Sequence, residues 1–362
     1  MDLLAPLKFR TIRSYSLAGP ENTRAVEAGL ANAQWYQTPI DRKVLKELMK
    51  RSDGPALRHT ALWLGLLIGS GAAGAALWGS WWAVPFFILY GVLYGSAADS
   101  RWHECGHGTA FKTRWMNDVV YEIASFMMMR NSLVWRWSHA RHHTDTIIVG
   151  RDPEISAMRP PQLIIIGLNF FGLVAVPQSF LILARQALGR LSPDEADYVP
   201  PEDRPQAYRV ARIHMAIYGA TLLSCFWMGS ILPAMLIGLP RAYGVWLLMI
   251  MGLPQHAGLE DDVLDHRLNS RTVLMSRPLR FIYSNMNYHV EHHMYPMVPY
   301  YALPRLHDAV KHDCPPPDRS LWHAWRQIIP TVFRQLKDPT HFIRKELPPG
   351  AGRLDRSTMA AE

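Results

Sequence analysis

The chain has 362 residues, 49% of them hydrophobic and 19% charged, enough for one large domain or two ordinary ones. Its net charge of +8 comes without a basic stripe interleaved with stacking aromatics, which argues against nucleic acid and for anionic lipid headgroups. Three scattered cysteines, Cys105, Cys225 and Cys314, imply no disulfide framework.

A mean hydropathy of −0.05 averages over very different segments. Residues 1–56 are polar and mixed in charge, read as a cytosolic extension, because no uninterrupted apolar core with a small-residue cleavage site marks a signal peptide. Residues 57–310 form the membrane domain. Thr60 to Ala98 carries no Asp, Glu, Lys or Arg before Asp99, and neither does Met215 to Pro240. Ala242 to Leu259 is uncharged apart from His256. Crossing a bilayer takes about 20 apolar residues, so these runs predict membrane spans. Residues 60–79 and 81–98 predict a first hairpin, turning near Gly79-Ser80-Trp81-Trp82, whose tryptophans suit an interfacial belt.

Residues 162–188 are ambiguous, since the uncharged run from Gln162 to Ala184 contains Asn169, Pro177 and Gln178. If this stretch crosses, the arginine-rich loop after it lies outside. If it lies in the interface, then 213–236 and 241–256 make a second hairpin and nearly every Lys and Arg falls on one side. The positive-inside rule favours the second arrangement. The expected fold is all-α, with four transmembrane helices in two hairpins, interfacial helices and a cytosolic helical cap. Residues 311–362 are expected to join that cap as a C-terminal tail. Within it, Leu321 to Leu336 has helical spacing that predicts packing on the protein's own surface.

Sixteen histidines are more than a chain of this size needs structurally. Eight of them fall in three clusters: His103 and His107 in HECGH, His139, His142 and His143 in HARHH, and His289, His292 and His293 in HVEHH. The i, i+4 and i, i+3, i+4 spacings gather the rings on one helical stripe. All three clusters sit at predicted membrane boundaries on one side. Imidazole is a common ligand for transition metals. Four ligands satisfy one zinc, so this many imidazoles fit two ions, and an all-nitrogen set with open positions suits a redox-active pair such as iron. Counting alone leaves copper open. His256 ends a span on the same side and is a candidate ninth ligand. His59, His214, His266, His307, His312, His323 and His341 lack cluster spacing and read as surface or outer residues. Glu104, Glu291, Asp145 and Asp152 lie in or just after the clusters and are candidates to accept a non-coordinating imidazole N–H. At helical spacing, Glu104 and Glu291 face away from the histidine stripes.

HECGH, HARHH and HVEHH resemble the three histidine boxes of the membrane fatty acid desaturase superfamily, HxxxH, HxxHH and HxxHH. The trailing Met294-Tyr295-Pro296, the continuation VPYYALPRLH and the element Asp152-Pro153-Glu154 are also similar to that superfamily. The resemblance implies four transmembrane helices under a cytosolic cap, two irons held by nine histidines with His256 as the ninth, and O2 as co-substrate. Some members hold one iron through a water on an Asn one turn before that histidine, where this chain has Gly252. No His-Pro-Gly-Gly signature of a fused cytochrome b5 module is present, so electrons are expected from a separate ferredoxin- or cytochrome-type protein.

The implied reaction is desaturation of a fatty-acyl or lipid chain. Within the same chemistry, a hydroxylase or a desaturase of a small amphiphilic metabolite is the alternative, because the outcome depends on where the substrate carbon sits. A non-enzymatic metal transporter would carry ionisable residues at mid-membrane, which these hairpins lack. The expected location is a membrane, such as a bacterial inner membrane, with the boxes on the cytosolic side.

Overall fold

The computed structural model describes residues 10–354, and among them the chain is helical, with strand-like pairing limited to the bridges Thr272–Tyr288 and Val273–Asp318. A helical hairpin forms around the predicted turn, with its arms at 53–76 and 83–106 where 60–79 and 81–98 were expected. Helix Asp53–Ala76 runs out, the chain turns at Gly79 in the left-handed region, and residues 83–106 return as one continuous helix. Small residues let the two arms close up: a Cβ on Gly71 would lie 2.8 Å from the Tyr90 ring, and one on Gly74 would lie 3.1 Å from the Phe87 ring. The returning helix contains a π-helical turn, Val92–Ser96, of the kind that inserts a residue and re-aims the helix beyond it. At about 1.5 Å per residue, His103 lies roughly 30 Å along the axis from the Ala83 end.

The π turn is also where the 240–255 segment docks. Gly244 packs so tightly on the backbone of Gly91 that an added Cβ would sit 1.8 Å from the Gly91 carbonyl oxygen. The Ser96 hydroxyl donates to the Gly244 carbonyl at 2.5 Å and accepts from the Leu248 amide at 2.8 Å. This stretch, expected as a fourth spanning helix, is instead three short pieces: Pro240–Tyr243, Trp246–Gly252 and the 3-10 turn Leu253–Gln255. The Gly244–Gly91 contact interrupts it, and Pro254 ends its α-helical part. Among the described residues one helix, Pro201–Met228, is both long and apolar enough to cross a membrane.

Residues 162–188 resolve into Leu163–Asn169 and Ala175–Ala187, separated by Gly172 with φ 62°. Neither piece approaches the ~30 Å of a hydrocarbon core. The second packs along Arg204–Met228 through Leu183 and Tyr218. His214 lies in this layer, buried against Phe126, and so is neither the surface residue nor the outer residue expected from its sequence.

Segments N- and C-terminal to residues 57–310 are stitched onto the histidine side. Gln37 donates to the Met294 carbonyl, Tyr36 and Thr38 donate to Asp313, and Arg13 pairs with Glu21 and Asp262. From the C-terminal side, Gly352 is held by Asp313 and Arg267. Helix Leu321–Gln335 buries Ala324 and Ile328 against Ala257 and Val273, and the Trp325 indole donates to the Ile250 carbonyl, the self-packing its spacing predicted.

Candidate metal centre

The three clusters arrive on different elements. His103 lies at the end of the first hairpin, in the last turn of helix Ala97–Gly106, and His107 is its C-cap. Helix Ser132–Thr144, capped by the Asn131 side chain, brings His139, His142 and His143. The short helix His289–Met294 brings His289, His292 and His293, and His256 follows the 3-10 turn 253–255. Their nitrogens collect in two groups. His103, His107, His139, His143 and His292 form one; His142, His256, His289 and His293 form the other, with the potential ligand atoms of each group within 4.8 Å of one another.

The division follows from helix geometry. In each HxxHH the i and i+4 rings are about 40° apart around the axis and enter one group, whereas the i+3 ring projects on the other side of i and enters the second. The two boxes therefore do not present single stripes. Each contributes to both groups, so the groups stand side by side.

Partners on the outer ring nitrogens set the inner ones. The Asp152 carboxylate lies 2.9 Å from His142 Nδ1, and the Glu154 carboxylate 3.1 Å from His139 Nδ1. The Asn269 carbonyl lies 2.8 Å from His256 Nδ1. Each partner accepts, so each imidazole keeps its proton on Nδ1 and turns the lone pair of Nε2 inward. Those inner nitrogens crowd together: His139 Nε2 lies 3.1 Å from His107 Nε2 and 3.2 Å from His143 Nε2, and His256 Nε2 lies 2.9 Å from His289 Nε2. His293 Nε2 is 3.0 Å from His289 Nε2, and His292 Nε2 is 3.2 Å from His143 Nε2. His103 Nε2 is buried with no partner. Converging lone pairs at this spacing fit bound cations.

The site's electrostatics favour the neutral, ligating form. Burial pushes His103 and His256 down to about 3, and His107, His139, His143, His289, His292 and His293 well below their ordinary value. His142 is the exception: burial opposes its charge, but Asp152 outweighs it and holds the imidazole up to about 9.

Of the outer candidates, Asp152 meets His142 Nδ1. Glu104 is not turned away: its carboxylate lies 3.3 Å from His103 Nδ1 and 4.0 Å from His292 Nδ1, because helix 289–294 and the Tyr300 amide close over that side. Burial raises this carboxyl to about 8. Glu291 meets His307 and Thr272 and touches none of the nine. Asp145 is committed to Arg141 and Arg151. Sequence reasoning missed Glu154, Gln255 beside His289 Nδ1, Thr146 beside His293 Nδ1 and Asn269. For Glu154 the signal was its place in Asp152-Pro153-Glu154. Gly252 offers no side chain, and its Cβ position faces Leu248 and the Tyr283 hydroxyl, each 3.5 Å away.

Comparison with known proteins adds an independent observation. A family model described as fatty acid desaturase matches residues 78–325, more than half of the chain. A chloroplastic sn-2 acyl-lipid omega-3 desaturase (ferredoxin) of Arabidopsis thaliana is 26% identical over 263 residues, covering 66% of this chain and 58% of the plant protein. A Delta(5) fatty acid desaturase of Caenorhabditis elegans is 26% identical over 261 residues, covering 63% and 57%. An endoplasmic-reticulum omega-3 fatty acid desaturase of Nicotiana tabacum is 22% identical, covering 72% and 73%. The chain thus spans under two thirds of the length of the first two.

Proposed function

Because this chain belongs to the fatty acid desaturase family, we propose that it is an O2-dependent di-iron desaturase of a fatty-acyl or lipid chain, drawing electrons from a separate ferredoxin- or cytochrome-type donor. The observation that carries the reading is the convergence of nine imidazoles into a group of five and a group of four. Two irons there would supply O2 reduction coupled to removal of two hydrogens from an alkyl chain. His103, His107, His139, His143 and His292 would hold one; His142, His256, His289 and His293 the other.

The chain's own residues orient and shield. Glu154, Asp152 and the Asn269 carbonyl fix the tautomer and ring angle of one imidazole each, and Glu104 spans His103 and His292. Trp102, buried 5.2 Å from the His139 ring and 6.2 Å from the His103 ring, keeps water from the membrane side of the five-histidine group. Misplacement of about 1 Å in such a site costs on the order of 10²-fold in rate, which rationalises so dense an outer shell.

The proposed setting is a membrane, with two helical arms of the first hairpin and helix 201–228 spanning, and the shorter 232–255 pieces completing a second hairpin. Exposed aromatics support it: Trp81 and Trp82 at one tip, and Phe226 and Trp227 at the other, are 75–90% exposed at the ends remote from the histidines. We place the histidines on the cytosolic face. The test is expression in a host of defined lipid composition, followed by mass spectrometry of lipids and polar metabolites. The proposal expects a product lighter by two hydrogens. A product heavier by one oxygen would make the protein a hydroxylase, and unchanged lipids with a desaturated small amphiphile would redirect the substrate class.

A further inference from the structure

A histidine outside both groups stands against the cage. The His266 ring lies 5.0 Å from the His293 ring, tilted by 32°, and on its other face the Trp35 indole stacks at 4.2 Å and 4°. His266 is buried at 2% exposure with its Nδ1 unpartnered. Leaving a buried polar nitrogen unpaired is costly, and an aliphatic side chain would fill the same space without that cost. Trp35 is only partly buried, and its indole N–H donates to the Thr144 carbonyl at 3.0 Å, which fixes the ring plane. The short helix His266–Asn269 carrying His266 is bolted to the cage: the Asn269 backbone carbonyl accepts from His256 Nδ1, and the Asn269 side-chain Nδ2 donates to the Thr146 carbonyl. Three π systems in contact therefore lead from the surface to His293. Trp35 lies N-terminal to the 78–325 region shared with the family.

We propose that Trp35 and His266 form an electron-entry relay, through which a one-electron donor protein docked at the Trp35 face reduces the metal held by the four-histidine group. The inference rests on the di-iron reading above. The step would be a pure electron transfer: a reduced iron–sulfur or haem protein would lose one electron, the ferric ion that His142, His256, His289 and His293 would hold would gain it, and no bond would form or break. Stacked contacts carry the coupling, and Trp35 and His266 end as they began.

The test uses the full-length, iron-loaded protein in detergent or nanodiscs, with Trp35→Leu, Trp35→Phe and His266→Leu variants. Iron content is measured first. The rate of ferric reduction is then followed by absorbance under stopped flow, without substrate, using reduced plant-type ferredoxin, reduced cytochrome b5 and, separately, dithionite. The relay expects Trp35→Leu and His266→Leu to slow reduction by the protein donor several-fold, with iron content and the dithionite rate unchanged, and Trp35→Phe to stay near wild type. Equal slowing with dithionite, or loss of iron in Trp35→Leu or His266→Leu, would make the pair a mere support for the cage and overturn the relay. So would a wild-type donor rate in either Leu variant, or a wild type that dithionite reduces but neither protein donor does. A wild type that takes up no redox metal overturns the di-iron reading instead.

Discussion

Asp152→Asn isolates what one outer residue does for the cage. Asp152 is fully buried, with one oxygen accepting from His142 Nδ1 at 2.9 Å and from the Ile147 amide at 2.8 Å, and the other accepting from the Glu154 amide at 2.8 Å. Asparagine keeps the volume, and its single carbonyl oxygen can serve only one side of that set. Its NH2 must then face an N–H donor, and the negative charge that holds the His142 imidazole up to about 9 disappears. Loss of such an outer partner costs about 10–100-fold in metal affinity, or about 1.4–2.8 kcal/mol. His142 belongs to the four-histidine group, so the ion held there should be lost first. The assay is chelator competition on iron-loaded protein, with retained iron counted per chain. Asp152→Asn should release one class of iron at lower chelator concentration while the second class titrates as in wild type. Two ions lost together, or wild-type affinity at both, would refute the reasoning.

Glu154→Gln should produce the complementary result, weakening the five-histidine group by about tenfold or more through His139, as read in the same competition. The metal-free protein should lose stability in acid. Burial holds six of the imidazoles well below their ordinary value, so the unfolded chain binds protons near pH ~6.5 that the folded cage refuses. Stability is thus present above that pH and falls below it, by up to about 1.4 kcal/mol per pH unit per imidazole, with His142 alone working in the opposite direction. Thermal melts of stripped protein between about pH 7.5 and 5.5 would check this, and a flat profile would contradict it. Gly244→Ala should fail to assemble the helix pair, since the Cβ would meet the Gly91 backbone at 1.8 Å and no side chain can move to make room. The cost should exceed the ~1–3 kcal/mol of ordinary overpacking, seen as lost monodisperse protein after extraction.

The histidines were legible because their spacing is local: i, i+3 and i+4 on a helix fix which rings travel together, and three such clusters bounded by apolar runs leave few arrangements. Helix geometry splits each HxxHH box, but which part of one box joins which part of the other was not legible, because it depends on how helix 132–144 and helix 289–294 face each other. Glu154 was hidden for a similar reason, reaching His139 across 15 residues of chain. Glu104 was misjudged because one helix's periodicity cannot see the second element that closes over its back. The first hairpin followed directly from an uncharged run with a glycine turn. The 240–255 segment did not, since hydropathy is blind to a glycine–glycine contact that kinks an otherwise apolar stretch. Trp35 carried no sequence signal at all, because its stacking on His266 joins residues more than two hundred positions apart.

Metal stoichiometry tests the proposed di-iron site most directly. Protein expressed with iron and purified without chelator should hold two irons per chain by elemental analysis, with a Mössbauer signature of nitrogen-rich sites. His142→Ala should lose preferentially the ion of the four-histidine group. One zinc per chain, or His142→Ala protein with undiminished iron, would contradict it.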